Sequence, residues 1–383
     1  MEEIRVPGTL IIGCGGIGAA AAYHLAARGE TVVGLDPRAA GHRAGSSHGR
    51  SRLVRQAYAE GSEYVALTTA AWRMWHELEA VADERILTAS GVLAVAPPDD
   101  PAGLVTSTLA AAREHALPVE HLDASEIVRR FPAFRLGAGW QGAFEPAAGF
   151  VDPEATVRTH LRLAQEAGAA FRSETVRRID FGVGTVVHTD AGSYRPDKVI
   201  VAAGPWAPAL LRAAGVDVVA RRKVVAHFRP ERPSTVGVGA LPGFAIHDGE
   251  GLYYGFPDFD GQGVKIGRHD GGESATPELV DRRVRDAEVG MLRRVLDRFL
   301  PDAAGEELDR YTCLYTMSAD EDFIVGPLPQ HPDVIVATGC CGHAFKFVPV
   351  LGAILADLAQ DGDTQYDIGF LSPARPAAIR PTV

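Results

Sequence analysis

A chain of 383 residues, 46% apolar and 23% charged, is longer than one ordinary hydrophobic core sustains, so two domains are expected. A formal net charge of −11 argues against nucleic acid or an anionic membrane as a partner. No apolar run suits a spanning helix or a secretory signal, and a cytoplasmic protein is the expectation.

The first readable stretch is Leu10–Gly18, an apolar run entering Gly13-x-Gly15-x-x-Gly18, with the alanine-rich Ala19–Arg28 behind it. It predicts strand, tight turn and helix. The first glycine permits the turn, the second lets backbone approach a phosphate, and the third lets helix and strand pack closely. Amides at the helix start would then face a pyrophosphate. Thr31–Asp36 reads as a second strand, placing Asp36 where a carboxylate accepts hydrogen bonds from an adenosine ribose. A polar, glycine-rich loop, Ala40–Arg55, follows. Tyr64–Val81 reads as a helix, with Trp72, Trp75 and Leu78 at helical spacing as core residues. Ile86–Ala96 reads as a strand, Ala102–His115 and Ser125–Arg130 as helices, the latter opened by Asp123 with Glu126 three residues on. Asp152-Pro153-Glu154 starts another helix, which Gly168 ends.

Phe171–Asp190 predicts a hairpin, and Lys198–Gly204 a buried strand with a glycine exit, the return of the chain to a nucleotide domain. Val218–Phe228 and Phe244–Gly267 then read as antiparallel strands with turns at Asp248–Gly251 and Asp260–Gly263, the texture of a second domain. Pro277–Phe299 reads as a charged amphipathic helix. Val334–Thr338 is a parallel-type strand, followed by Gly339–Gly342 and a helix through Ala359. The expected fold class is α/β with α+β elements: a discontinuous Rossmann-like nucleotide domain (1–85, 145–217 and 318–383) with an inserted antiparallel-sheet substrate domain (86–144 and 218–317).

Cys14, Cys313, Cys340 and Cys341 include no Cys-x-x-Cys pair, so no disulfide framework is expected, and thirteen histidines show no metal-ligand spacing. On residue type alone Cys313 reads as a small buried hydrophobe, Lys265 as a surface strand lysine, and His48, Arg52 and Arg55 as a solvated turn. The richest late stretch is Tyr311–Leu351. There a strand running into Gly342-His343 and then a helix gathers amides and a positive dipole, which suits the N1–C2=O edge of a flavin.

The chain resembles the monomeric sarcosine oxidase and N-methyltryptophan oxidase family of flavoproteins. The resemblance rests on Gly13–Gly18, Gly45–Arg55 with the following residues to Gly61, Tyr253–Pro257, Lys265–His269, Cys313–Thr316 and Gly342–Phe347, in order along nearly the whole chain. It implies FAD rather than NAD, held by Gly13, Gly15, Gly18, Asp36, Ser47, Gly342 and Lys346, with Cys313 joined to the flavin 8α-methyl carbon as an 8α-S-cysteinyl link. A thiolate is a good nucleophile toward such a carbon. The resemblance places His48 and Arg52 against the flavin ring. It puts Arg55 with Lys346 around a substrate carboxylate, and Lys265 beside flavin N5 through a water, promoting electron transfer to oxygen. Tyr254, His269 and Tyr315 would line the substrate pocket. Lys265, Arg52, His269 and Tyr254 are thus the candidate catalytic residues, and no metal is expected.

The implied reaction oxidises a secondary, N-methyl or cyclic amine bearing a carboxylate to the imine, with oxygen reduced to hydrogen peroxide by a monomeric enzyme. Alternatives are a cyclic-amine oxidase carrying out multi-electron desaturation, an NAD(P)-dependent dehydrogenase, and a redox-inert binding protein. Departures from the family pattern fall at Asp322, Gly326 and Ala245, where a small residue in place of a bulkier one would enlarge the pocket. Arg50 is unusual beside the flavin loop.

Overall fold

Apolar residues fill the run into Gly13 because the strand they form, Glu3–Ile12, is covered on both faces. The computed structural model describes residues 3–379. Glu3–Ile12 lies inside an eight-stranded sheet, between parallel neighbours Val32–Leu35 and Ser193–Val201. Ala170–Arg172 extends the parallel run beyond Val32–Leu35, and His331–Thr338 extends it beyond the second half of Ser193–Val201. Alternation along each strand divides the core. Ile11, Ile200 and Ile335 face one cluster, which includes the helices Gly16–Ala27 and Val348–Gln360. Leu10, Ile12, Val199, Val201, Val334 and Val336 face another, around Ala207 and Leu211. Gly13 (φ +90°) makes the turn out of the first strand. A Cβ on Gly18 would fall 1.9 Å from the Gly13 carbonyl oxygen, so only glycine lets the helix start that close to the strand.

The second sheet has nine strands. Val219–Phe228 runs along Glu307–Met317 on one edge and along Val264–Arg268 and Glu273–Ala275 on the other. Leu252–Phe256 and Gly243–His247 continue it antiparallel, as the sequence led one to expect. Val92–Ala96 then joins Gly243–His247 in parallel, and Gln141–Glu145 and Glu120–Asp123 complete the sheet. A small third sheet of Arg52–Val54, Gly149–Val151 and Leu87–Thr88 shares no ladder with either but packs against the second, with the Phe150 and Phe256 ring centroids 5.7 Å apart.

Helix caps fall where the sequence put them. Asp123 accepts from the Glu126 amide at 2.9 Å while Glu126 accepts from the Asp123 amide. Asp152 caps Pro153–Glu166 through the amides of Glu154 and Ala155.

Four expectations need correction. The hairpin comprises only Val176–Asp180 and Val186–Thr189; Phe171 belongs to the parallel sheet. Gly34 explains this: a Cβ there would sit 2.5 Å from the Phe171 ring, so the missing side chain makes room for the phenyl. The strand expected over Ile86–Ala96 breaks at Gly91 (φ +67°), giving Leu87–Thr88 to the third sheet and Val92–Ala96 to the second. The late helix is Asp286–Phe299, not Pro277–Phe299. Backbone carbonyls of Asp281 and Arg283 accept from the buried Arg222 guanidinium at 2.7 and 2.6 Å, so they are not committed to a helix. A four-residue 3-10 turn, Ala344–Phe347, separates Gly342 from the last helix, which begins at Val348 with Pro349 in its first turn.

Residues 1–2 and 380–383 of the expected nucleotide domain lie outside the described residues. Among the described residues no helix is long and apolar enough to cross a membrane, and no cluster of three metal-ligating side chains occurs.

Candidate active site

A cavity of ≈ 690 Å³ runs from the glycine turn to the second sheet. At the turn end its wall combines glycines with Cys14, Ile17, Leu35 and Pro37. Gly13, Gly15 and Gly16 line it, and the Gly16 amide donates to Ser47 Oγ at 3.1 Å. Asp36 also lines it. Its Oδ2 accepts from the Cys14 amide at 3.0 Å, tying the second strand to the turn, and a carboxylate keeps further lone pairs for a ribose. Gly18 is buried behind this wall and shapes it.

At the far end the cavity meets the second sheet through Tyr254, His269, Tyr311, Cys313 and Tyr315, and the 3-10 turn through Lys346. Arg52 closes the side. Its guanidinium is fixed by the carbonyls of Ser51 and Ser46 at 2.7 and 2.8 Å, and Nη2 stands 4.0 Å from Cys313 Sγ. The four cysteines are free. Gly342 lines the wall directly against the Tyr315 ring, where a Cβ would lie 2.0 Å from Cε2.

Arg55 and Lys346 come together. Both lie over the Tyr58 ring, with Arg55 Cζ at 5.4 Å and Lys346 Nζ at 4.9 Å from its centroid. Burial pushes Lys346 down to about 7, although Glu60 favours its charged form. Arg55 Nη2 donates to both Glu60 oxygens at 2.8 Å, while Arg55 Nε is buried with no partner among the described residues. Burial alone would raise Glu60, but Arg55 and Lys346 outweigh it and hold the carboxyl at about 2.

Glu60 and Tyr58 were missed as site residues. The signal available was an aromatic and an acid three and five positions beyond Arg55. His343 was read only as part of a helix start. Tyr58 OH bonds to its Nδ1, and Nε2 lies 3.2 Å from the Glu321 carbonyl. Because that carbonyl only accepts, Nε2 carries the proton and Nδ1 accepts from Tyr58. Burial pushes His343 down to about 3 and His269 to about 4, so both imidazoles are neutral. Burial also raises the phenols of Tyr254 and Tyr315, which stay protonated.

Two expected residues stand one layer behind the wall. Lys265 Nζ donates to the carbonyls of Gly49 and Ser51 and to Ser51 Oγ, at 2.8, 3.1 and 3.0 Å, and lies 4.9 Å from the Phe256 centroid. Burial, with Arg52 nearby, drives its pKa well below the usual lysine value. His48 is fully buried, and neither ring nitrogen has a partner among the described residues. Burial, with Arg52 and Lys265 close by, pushes it down to about 3.

Arg50 points elsewhere. It bridges Asp152 and Asp260 at 3.2 and 3.1 Å from a left-handed backbone (φ +59°), fastening the loop to the α-helix cap and to a sheet turn. Ala245 lines the cavity, whereas Asp322 and Gly326 do not. Trp75 is core as expected, and its Nε1 also donates to the Lys346 carbonyl at 2.8 Å, bracing the 3-10 turn.

These features fit an FAD: a glycine turn with helix-start amides for a pyrophosphate, the Asp36 carboxylate with lone pairs for a ribose, a free thiol beside a guanidinium, and at the same end the buried Nε of Arg55, unpartnered among the described residues.

The family profile described as FAD dependent oxidoreductase matches residues 9–358. A monomeric sarcosine oxidase of Streptomyces avermitilis is 40% identical over 380 residues, covering 96% of this chain and 97% of that protein. An N-methyl-L-tryptophan oxidase of Citrobacter koseri is 36% identical over 364 residues, covering 94% and 96%. Among solved structures, the open form of NikD, an unusual amino acid oxidase essential for nikkomycin biosynthesis, superposes with a TM-score of 0.85 at 27% identity, covering 98% of this chain and 99% of that one.

Proposed function

The chain belongs to the FAD-dependent oxidoreductase family, with sarcosine and N-methyltryptophan oxidases as near-full-length relatives, and on that premise we propose that it oxidises a secondary amino acid to the imine, with oxygen reduced to hydrogen peroxide. One observation carries the choice of substrate class. Arg55 and Lys346 converge over Tyr58 at the same end of the cavity as Arg52 and the Cys313 thiol. Two cations at a redox pocket suit a substrate carboxylate. Arginine offers a fork and lysine a point charge. Arg55 uses Nη2 on Glu60 and keeps its other donors, so it can grip a carboxylate without leaving Glu60.

FAD is the cofactor. It supplies the redox chemistry, accepting a hydride equivalent from the carbon beside the nitrogen and passing electrons to oxygen. In this reading Gly13, Gly15 and Ser47 would form the pyrophosphate end with Gly18 shaping the turn behind them, Asp36 would take the ribose, Gly342 would bound the ring, and His48 would back it from behind the wall. Cys313, a free thiol lining the cavity with Arg52 Nη2 4.0 Å from its sulfur, would carry the flavin through a thioether. Lys265 is held behind the wall by three oxygens, and in its protonated form this fixed cation would stabilise negative charge developing on oxygen. Neutral His269, Tyr254 and Tyr315 surround the amine. The nearby cations disfavour its protonated form, so its lone pair is free to assist C–H cleavage.

The eight-stranded sheet with its helices would be the FAD-binding part and the nine-stranded sheet the substrate part, with the boundaries given above. The same proposal includes a monomeric, cytoplasmic enzyme. The sarcosine and N-methyltryptophan oxidase relatives do not favour the cyclic-amine alternative, and the FAD family displaces the NAD(P) one.

A peroxide-coupled screen of the flavin-loaded protein with sarcosine, N-methyltryptophan, proline and pipecolate tests this. Peroxide from the N-methyl amino acids is expected. Absence of both peroxide and oxygen uptake with every secondary amino acid would overturn it.

A further inference from the structure

Lys223 has no part in the chemistry described so far, yet it is an unusual lysine. It is 4% exposed, lies on Val219–Phe228 opposite Cys313 in the neighbouring strand, and has no carboxylate within ion-pairing distance among the described residues. The ladder on its other side shows why. Val225 pairs with Gly267 and Arg222 with Glu273, so the five residues 268–272 face only residues 223 and 224. The surplus forms a large bulge that leaves several backbone carbonyls without ladder partners.

Side-chain cations fill that need. Lys223 Nζ takes the carbonyls of His269, Asp270 and Gly271 at 2.5, 3.0 and 2.6 Å, and Arg221 takes that of Gly272 at 3.0 Å. The turn is built for this. Gly271 and Gly272 have φ of +64° and +97°, and a Cβ on Gly272 would lie 3.3 Å from both Lys223 Cδ and Cε. The fourth neighbour of the ammonium is the face of Tyr315, its centroid 4.8 Å away. Burial pushes Lys223 down to about 8, although the Asp270 carboxylate favours its charged form.

The bulge carries a site residue. His269 leads into it, its amide donating to the Leu252 carbonyl at 2.7 Å, and its ring lies 5.7 Å from that of Tyr315 at the cavity. Asp270 fastens the outer side through Arg268 and the Leu252 amide. We propose that Lys223 is a positioning residue: its ammonium, caged by three carbonyls and the Tyr315 face, holds His269 and Tyr315 in place at the substrate cavity, and the same cage takes another small monovalent cation when the lysine is removed. The part concerning substrate rests on the amine-oxidase reading above.

The test uses the flavin-loaded Lys223→Ala variant, with KM and kcat for an N-methyl amino acid measured in choline chloride, potassium chloride and methylammonium chloride at matched ionic strength. Removing a binding contact that acts equally in ground and transition states raises KM with little change in kcat. The expected result is a KM raised about tenfold in choline, with kcat within about threefold of wild type. Potassium or methylammonium brings KM back toward wild type, while the wild-type enzyme is indifferent to the cation. A wild-type KM in choline, or a raised KM that neither cation relieves, would overturn the proposal. Should Lys223→Ala fail to fold, Lys223→Gln decides: a raised KM without cation response supports the cage, and an unchanged KM contradicts it. If the wild-type enzyme oxidises no secondary amino acid, the functional reading fails separately. Acetate binding, followed by flavin absorbance in the same variants and salts, then tests the cage with the same pattern expected of its dissociation constant.

Discussion

Three of the four cysteines line the cavity, and their surroundings differ. Burial pushes Cys340 up to about 12 and raises Cys14 further, beside Asp36, whereas Cys313 has the Arg52 guanidinium 4.0 Å from its sulfur. With its free sulfur at the redox end of the cavity, Cys313 is the proposed attachment point. In the Cys313→Ala variant the yellow chromophore is expected in the supernatant after acid precipitation, while in wild type it stays with the pellet. Colour retained in the variant pellet would reassign the attachment.

Lys346 gives a second prediction at this scale. Its pKa of about 7 makes it an ammonium below that pH and a neutral amine above it. Acetate affinity, read from flavin absorbance, should be level below pH 7 and then weaken by up to about tenfold per pH unit. An affinity that is flat up to pH 9 would remove Lys346 from the carboxylate site. For stability the sign is separate. The native value lies below the ordinary 10.5, so between about pH 7 and 10.5 the unfolded chain holds a proton the native state lacks, and this group's contribution to stability rises with pH.

At the scale of elements, local chemistry was readable and long-range demand was not. The glycine turn, the Asp123 box and the Asp152 cap depend on residues a few positions apart, and each stands where the sequence put it. The segment 277–285 failed because Arg222, some sixty positions earlier, takes its carbonyls. The bulge at 268–272 was likewise invisible, since its partner is Lys223 on another strand. Arg222 also pairs with Glu288 at 19% side-chain exposure. Burial raises the Glu288 carboxyl, but Arg285 and Arg222 overcome that and hold it at about 2, below the ordinary 4.5. The contribution of this pair to stability is therefore full above pH 4.5 and is lost as pH falls toward 2. Arg222→Met strands two carbonyls and leaves Glu288 with Arg285 as its one guanidinium partner among the described residues, and at neutral pH should cost about 1–3 kcal/mol in urea unfolding. A loss under about 1 kcal/mol would show that the clamp contributes little.

Across the whole molecule the cavity joins pieces of chain that lie far apart in sequence. Gly13 and Asp36 shape one end, while Cys313 and Lys346 stand some three hundred residues later at the other. The α/β class, the FAD family and the gathering of Arg55 with Lys346 were legible because short motifs carry them. Glu60 was not, since an acid five residues beyond an arginine is ordinary in a loop until the fold brings Lys346 to the same place. The layering of Lys265 and His48 behind the wall was equally hidden, because it depends on how the loop 45–55 crosses the second sheet.

The central claim is a flavin oxidase that grips its amine by the carboxylate. The most direct test is anaerobic titration of the flavin-loaded protein with an N-methyl amino acid and, in parallel, with its carboxamide. Bleaching of the flavin by the acid but not by the amide, with colour and one peroxide per flavin returning on admission of oxygen, is the predicted result. Equal bleaching by acid and amide, or a flavin that no secondary amino acid reduces, would contradict it.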